Sequence, residues 1–271
     1  MKIIAEKING TRAQVAKAVA ERDADLIRTL AKRQAEAGAH WIDVNAGTHP
    51  DREPEDLVWL VNSVQEVTDL PLSLDSTNPN ALAAALKVTR QTPMINSISG
   101  EPSRLTGVLP IAAEHGCPAI ALCMGEQGIP KSVAARLEAI RRVIDATRRA
   151  GMPDDKVYID PLLMTIATDT ESGNVALDTM RAVRAEFPAA HLTLGLSNVS
   201  FGLPVRSLIN RTFLVLAISA GLDTVIADPL DREMRAAMLA AELLLGRDKH
   251  CLTYVRAHRA GLLEASATKA T

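Results

Sequence analysis

Aromatic side chains are scarce in this sequence: 2 Trp, 2 Tyr and 3 Phe among 271 residues. So few rings cannot build a stacking platform for single-stranded nucleic acid. The interior must be aliphatic, because 47% of the residues are nevertheless hydrophobic. An excess of charge is missing as well. The 30 Lys and Arg oppose 32 Asp and Glu, a formal net charge of −2, so there is no electrostatic footprint for DNA or RNA. No apolar run reaches the roughly 18 residues of a membrane span. The N-terminus MKIIAEKINGTR has neither a secretory apolar stretch nor a small-residue cleavage site. The chain is therefore expected to act in the cytoplasm, away from membranes.

Cysteine is limited to Cys117, Cys123 and Cys251, with no CxxC, which excludes a disulfide framework and a zinc cluster. All three are expected to be small buried hydrophobes. GxGxxG, the P-loop, GxSxG and HExxH are absent. Their absence removes the usual signs of a dinucleotide fold, a nucleotide triphosphatase, a serine hydrolase and a zinc protease.

What is present is a repeat of alternating character. The apolar runs are KIIAEKI, HWIDVNA, LPLSLDS, PMINSIS, PAIALCM, VYIDPLL, HLTLGLS and DTVIADP. Between them lie Ala- and Leu-rich stretches with helical spacing at 25–37, 55–67, 79–89, 104–115, 132–150, 175–186, 206–220 and 232–245. Gly38, Gly116, Gly151 and Gly221 stand where helices stop just before the next run. A strand–helix unit repeated about eight times in ~250 residues predicts an α/β fold, the (β/α)8 TIM barrel. A doubly wound open sheet would show fewer units and a glycine-rich first turn. One domain is expected over 1–262, followed by a disordered tail at 263–271.

In such a barrel the carboxyl ends of the strands face the active site. Here those ends are polar: Glu6 and Asn9, Asp43 and Asn45, Asp75 and Ser76, Asn96 and Ser97, Asp160, Ser197 and Asn198, and Asp228. Strand five is the exception, ending at Met124 and Gly125. Asp and Asn also end strands and cap helices for purely local reasons. Asp43, Asp75 and Asp160, however, sit inside apolar runs, where a carboxylate is costly unless a donor meets it. A ligand with several N–H groups would be such a partner. No tight carboxylate cluster points to a metal, and no metal site is expected. Lys156 falls at the wrong end of its strand for Schiff-base chemistry, and Lys7 has no evident partner. Cys123 has no His partner, while His49, in the second strand–helix loop, is expected to be exposed.

The segments EKING (6–10), LDST (74–77), INS (95–97), GIPK (128–131), YIDPL (158–162), GLSNVSFG (195–202) and LINRTF (208–213) carry a family likeness. Over 1–261 the chain resembles the pterin-binding methyltransferases that move a methyl group between tetrahydrofolate and a corrinoid protein. The resemblance implies a pterin-binding TIM barrel of the dihydropteroate synthase-like type, in a homodimer. It implies that Asp75, Asn96 and Asp160 bind the pterin's aminopyrimidine edge and that Asn198 is the catalytic residue at the methyl-bearing N-5. Gly195 and Ser197 would belong to the same binding loop, with Arg206 and Asn210 ordering it. Glu6, Asn9, Asp43 and Asn45 would support the pocket.

The departures narrow the resemblance. Dihydropteroate synthases carry a glycine-rich turn where this chain has Asp160-Pro161-Leu162-Leu163, and their late Lys-x-Ser segment is not recognisable here. Methionine synthases add homocysteine, corrinoid and activation modules for which 271 residues leave no room. SFG after GLSNV, TDTESG (168–173) and LLGRDKHC (244–251) resemble the methylcorrinoid:tetrahydrofolate methyltransferases of demethylating pathways such as glycine betaine demethylation. The implied activity forms 5-methyltetrahydrofolate, with the corrinoid delivered by a separate protein. A synthase-like pterin enzyme and a non-catalytic folate-binding partner of a corrinoid protein are the alternatives.

Overall fold

A computed structural model describes residues 1–263; the expected tail lies outside the described residues from 264 onward. Eight parallel strands carry the fold: β1 (Lys2–Asn9), β2 (Trp41–Asn45), β3 (Leu72–Asp75), β4 (Met94–Ser99), β5 (Ala119–Leu122), β6 (Val157–Asp160), β7 (His191–Leu192) and β8 (Thr224–Ala227). They lie in the order β7-β6-β5-β4-β3-β2-β1-β8. The ring closes just beyond β7, where the Ile226 N–H donates to the Leu194 carbonyl at 2.9 Å and Gly195 bridges Ile226. This is the expected TIM barrel.

Helices wrap the outside: α1 (Ala13–Glu21), α2 (Ala24–Glu36), α3 (Glu53–Gln65), α4 (Pro79–Leu86), α5 (Pro102–Gly107), α6 (Leu109–Glu114), α7 (Val133–Arg149), α8 (Ser172–Glu186), α9 (Arg206–Ser219), α10 (Arg232–Leu244) and α11 (Leu252–Arg259). Their starts follow capping chemistry. The side chains of Asp23, Ser132 and Asp231 accept from the N–H groups of Leu26, Ala135 and Met234. At the other ends Gly38, Gly116, Gly151 and Gly221 all adopt positive φ, so the expected helix stops are where the sequence put them. Two expectations change. The stretch 104–115 is two short helices rather than one, because Pro110 has no N–H for a continuous helix. Strand seven ends at Leu192, so Ser197 and Asn198 lie in a 3-10 turn, Leu196–Ser200, and not at a strand end.

Strand periodicity divides the residues between two environments. Ile3, Ala5, Ile42, Val44, Leu72, Leu74, Ile95, Ala119, Ala121, Val157, Ile159 and Val225 point outward into the aliphatic core beneath the helices. Ile4, Met94, Ile120 and Tyr158 point inward and pack with Trp41, Leu122 and Ile226 as a separate plug within the barrel. Cys117 and Cys123 are buried as expected; Cys251 is exposed in a left-handed turn before α11, which corrects its assignment to the interior.

At the top of the barrel two loops meet backbone to backbone. A Cβ on Gly10 would stand 2.0 Å from the Ala46 carbonyl oxygen, and one on Gly47 would stand 2.6 Å from the Gly10 carbonyl carbon. The β1–α1 and β2–α3 loops are thus locked together by the absence of two methyl groups. Gly10→Ala is expected to cost about 2 kcal/mol, read as a fall of roughly 4–8 °C in Tm by differential scanning calorimetry. An unchanged Tm would mean the loops move apart freely.

Candidate active site

The inward faces of the strands change character along their length. Two residues beyond Ile4 is Glu6; beyond Trp41 come Asp43 and then Asn45; beyond Ser73 is Asp75; beyond Met94 is Asn96; beyond Tyr158 is Asp160; beyond Ile226 is Asp228. The lower barrel is therefore plugged by hydrophobes, and its carboxyl end is lined by acids and amides. Parallel register makes them neighbours: Asp43 lies opposite Ser73, Asp75 opposite Asn96, and Leu122 opposite Asp160.

Side-chain hydrogen bonds tie part of this set together. Asp43 Oδ1 accepts from Ser73 Oγ at 2.7 Å and from Asn96 Nδ2 at 3.2 Å. Asp75 Oδ2 accepts from Asn45 Nδ2 at 3.0 Å. Glu6 pairs with Arg12 at 3.2 Å. Lys7, expected to lack a partner, binds Asp228 at 2.6 Å, so that lysine is engaged and not a free amine. Asn9 turns away: its Oδ1 accepts from the Thr11 N–H and hydroxyl, which caps the first loop.

The seventh and sixth strands contribute through turns. Asn198 is exposed and folds back over Gly195, where a Cβ would meet its Nδ2 at 3.2 Å. Arg206 donates to the Ser197 carbonyl at 2.7 Å and to Ser200 Oγ at 3.1 Å; Ser200 in turn donates to Asn210 at 2.6 Å. Arg206 and Asn210 thus brace the turn that carries Ser197 and Asn198. After β6 the chain reverses at Leu162, which takes φ +63° although it is not glycine, and its N–H donates to Asp160 Oδ1 at 2.7 Å. The left-handed conformation that a glycine would hold freely is here held by leucine under strain.

Burial sets the protonation of this mouth. It pushes Asp43 well above the ordinary carboxylate range, and the charge of Asp75 pushes it further. Asp75 and Glu6 are raised chiefly by burial too, opposed by the Asn45 hydrogen bond and by Arg12 respectively. Asp160 is pushed up to about 6 by burial, against the Leu162 N–H and the charge of Arg136. Asp160 can therefore exchange a proton close to neutrality, and any of these carboxyls accepts from N–H donors once ionised. Three buried polar atoms near the mouth have no protein partner: Asn45 Oδ1, Thr48 Oγ1 and Arg104 Nη1. Among the described residues no three His, Cys, Asp or Glu side chains group as metal ligands.

Some of these residues escaped the sequence reading. Ser73 was detectable, since it stands two residues before Asp75 on the same strand face. Arg12 and Arg104 carry no local signal, because their relevance depends on which carboxylates the fold brings to them.

Comparison with known proteins agrees with this geometry. The family model described as "Pterin binding enzyme" matches residues 5–228. The chain is 37% identical over 263 residues to the methylcorrinoid:tetrahydrofolate methyltransferase of Eubacterium limosum, covering 96% of this chain and 97% of the relative. It is 33% identical over 237 residues to methionine synthase of Mycobacterium leprae (strain TN), covering 83% of this chain but 20% of that longer protein. Among solved structures, Yersinia pestis DHPS in complex with a pterine–sulfa conjugate superposes with a TM-score of 0.71. The identity there is 19%, over 91% of this chain and 93% of that one, a likeness of fold alone.

The raised Asp160 has a testable consequence. A carboxyl whose value climbs from the ordinary 3.8 to about 6 on folding costs nothing below 3.8 and destabilises increasingly as pH rises to 6 and beyond. The full cost is roughly 3 kcal/mol. Urea denaturation of Asp160→Asn should show an advantage over the wild type that grows between pH 4 and pH 7 towards that value. An advantage constant with pH would contradict the assignment.

Proposed function

The chain belongs to the pterin-binding enzyme family, and we propose that it transfers a methyl group between a corrinoid protein and tetrahydrofolate. The direction we propose is the one that forms 5-methyltetrahydrofolate. The observation carrying this reading is the acid- and amide-lined mouth around Asp75, Asn96 and Asp160, with Asn198 exposed at its edge. It occurs in a chain related along 96% of its length to a protein named for that reaction. We take residues 1–262 as one catalytic domain.

The side chains suit a pteridine. A 2-amino-4-oxo ring offers several N–H donors on one edge, and ionised Asp160 and Asp75 would accept them while Asn96 completes the edge. Gly195 and Ser197 would form the wall beside the ring. Asn45 Oδ1, Thr48 Oγ1 and Arg104 Nη1 would gain the partners they lack. Glu6, Asp43, Asn45, Arg206 and Asn210 would support the pocket, whereas Asn9 serves its own loop.

The corrinoid, held by the partner protein, supplies the cobalt that gives or takes the methyl group. The work of this chain is done at N-5 of the folate. As the methyl group arrives, that nitrogen becomes cationic and must shed its proton; in reverse it must be protonated to leave. Asn198 can both donate and accept, so it can follow the charge at N-5 in either direction. Glu6, whose carboxyl is raised by burial, can hold the proton. The upper loops leave Ile129, Met164, Phe201 and Val205 exposed, an apolar rim over which a corrinoid domain can dock.

A homodimer is part of the proposal. It is supported by exposed Leu208, Val215 and Leu216 on α9 and by Leu252 and Val255 on α11, and light scattering should read twice the chain mass. A cytoplasmic setting fits the three free cysteines. Among the described residues no helix is long and apolar enough to cross a membrane.

Mixing the purified protein with methylcobalamin and tetrahydrofolate should change the corrinoid spectrum; no change would favour a binding protein or a synthase-like enzyme. Asn198→Ala should slow single-turnover methyl transfer at least tenfold, about 1.4 kcal/mol. An unchanged rate at saturating folate would remove Asn198 from the mechanism. Asp75→Ala and Asp160→Ala should each weaken folate binding by about 1–3 kcal/mol in calorimetry.

A further inference from the structure

Behind the site lies a buried cation, Arg136. Arg136 lies in the first turn of α7, on the outer layer of the barrel, yet only 3% of it is exposed. A guanidinium keeps its charge even where burial opposes it, and burying it is costly unless its N–H groups are used. Arg136 Nε donates to the Pro130 carbonyl at 2.9 Å, and Nη1 donates to the Pro161 carbonyl at 2.7 Å. Pro130 belongs to the loop after β5, and Pro161 follows Asp160 directly. One side chain therefore joins the loop after β5 to the loop that begins at Asp160.

We propose that Arg136 is a positioning residue for pterin recognition: it clamps the Pro130 and Pro161 backbones and supplies the positive charge beside which Asp160 works as an anion. The inference rests on the proposed role of Asp160 in holding the pterin edge.

Three features support it. The Pro161 carbonyl and the Leu162 N–H are the two ends of one peptide group: Arg136 holds its oxygen, its N–H donates to Asp160 at 2.7 Å, and Leu162 beyond it takes a strained φ of +63°. A conformation costing on the order of 1–3 kcal/mol persists only where its surroundings fix it, and Arg136 fixes the preceding carbonyl. Second, Asp160 is buried and has few stabilising groups. Its charge is helped by the Leu162 N–H and by Arg136, in that order. Third, the other titratable groups nearby offer no substitute. From β5, Cys123 is a neutral thiol, pushed up by burial. Asp169, in the loop beyond β6, acts on Arg136 and is itself an anion. Losing the guanidinium would remove the one cation acting on Asp160 among the described residues.

The test measures the ionisation of Asp160 and folate binding separately in the full-length protein. Carboxyl-13C aspartate labelling gives the Asp160 titration midpoint without ligand, its resonance being identified by its loss in Asp160→Asn. Calorimetry with tetrahydrofolate from pH 5.5 to pH 9 gives affinity. In Arg136→Met the midpoint should rise by at least about one pH unit, and folate affinity should fall most near pH 6 and recover towards pH 9. Arg136→Lys, which keeps the charge, should hold the midpoint close to wild type while weakening the clamp. Should Arg136→Met not fold, Arg136→Gln replaces it with the same expected midpoint. An unmoved midpoint in the neutral variant, or an affinity loss equal at every pH, overturns the proposal. A midpoint that moves without any change in folate affinity instead leaves Arg136 acting on Asp160 and refutes the pterin role of Asp160.

Discussion

The carboxylates inside the barrel are the constraint around which this molecule is organised. Asp43, Asp75 and Asp160 occupy positions where apolar packing would be the cheapest solution, and each has to find donors in a low-dielectric interior. Ser73, Asn96 and Asn45 serve the first two, and the Leu162 N–H serves the third. The remaining demand falls on protons, which explains why all three are raised by burial. It falls equally on a ligand, which can bring N–H groups at the moment of binding. A barrel that tolerates such charges is one that is stabilised elsewhere, here by a continuous aliphatic layer between strands and helices.

That division of labour explains the shape of the site. The plug of Ile4, Met94, Ile120 and Tyr158 closes the barrel below, so a ligand can enter only from the carboxyl end. Loops above it are held by contacts that leave little play. Gly10 and Gly47 touch through their backbones, Arg206 braces the turn of Asn198, and Arg136 ties the Pro130 and Pro161 loops. Preorganisation of this kind suits the role proposed for the amides and weak acids of the mouth.

Much of the fold was legible because it depends on local rules. Apolar runs alternating with helical spacing marked the eight units, and glycines at 38, 116, 151 and 221 marked where helices stop. Asp43, Asp75 and Asp160 stood out because carboxylates inside apolar runs violate the pattern around them. The seventh strand misled: HLTLGLS reads as a full strand, but the pairing ends at Leu192 and the chain curls at Gly195. Pro110 was visible in the sequence, yet the spacing around it suggested a single helix.

The sequence by itself determined which residues alternate inward and outward, because side-chain direction along a strand follows from backbone geometry alone. It thereby determined that a set of acids and amides would share the carboxyl end of a barrel, if eight strands closed. Only the tertiary structure decided how they pair: Asn96 with Asp43 rather than with Asp75 opposite it, Lys7 with Asp228, and Arg136 behind Asp160. Those choices depend on distances between residues remote in the chain, and so do the burial and the neighbouring charges that set each carboxyl's proton affinity. No local pattern in the sequence records them.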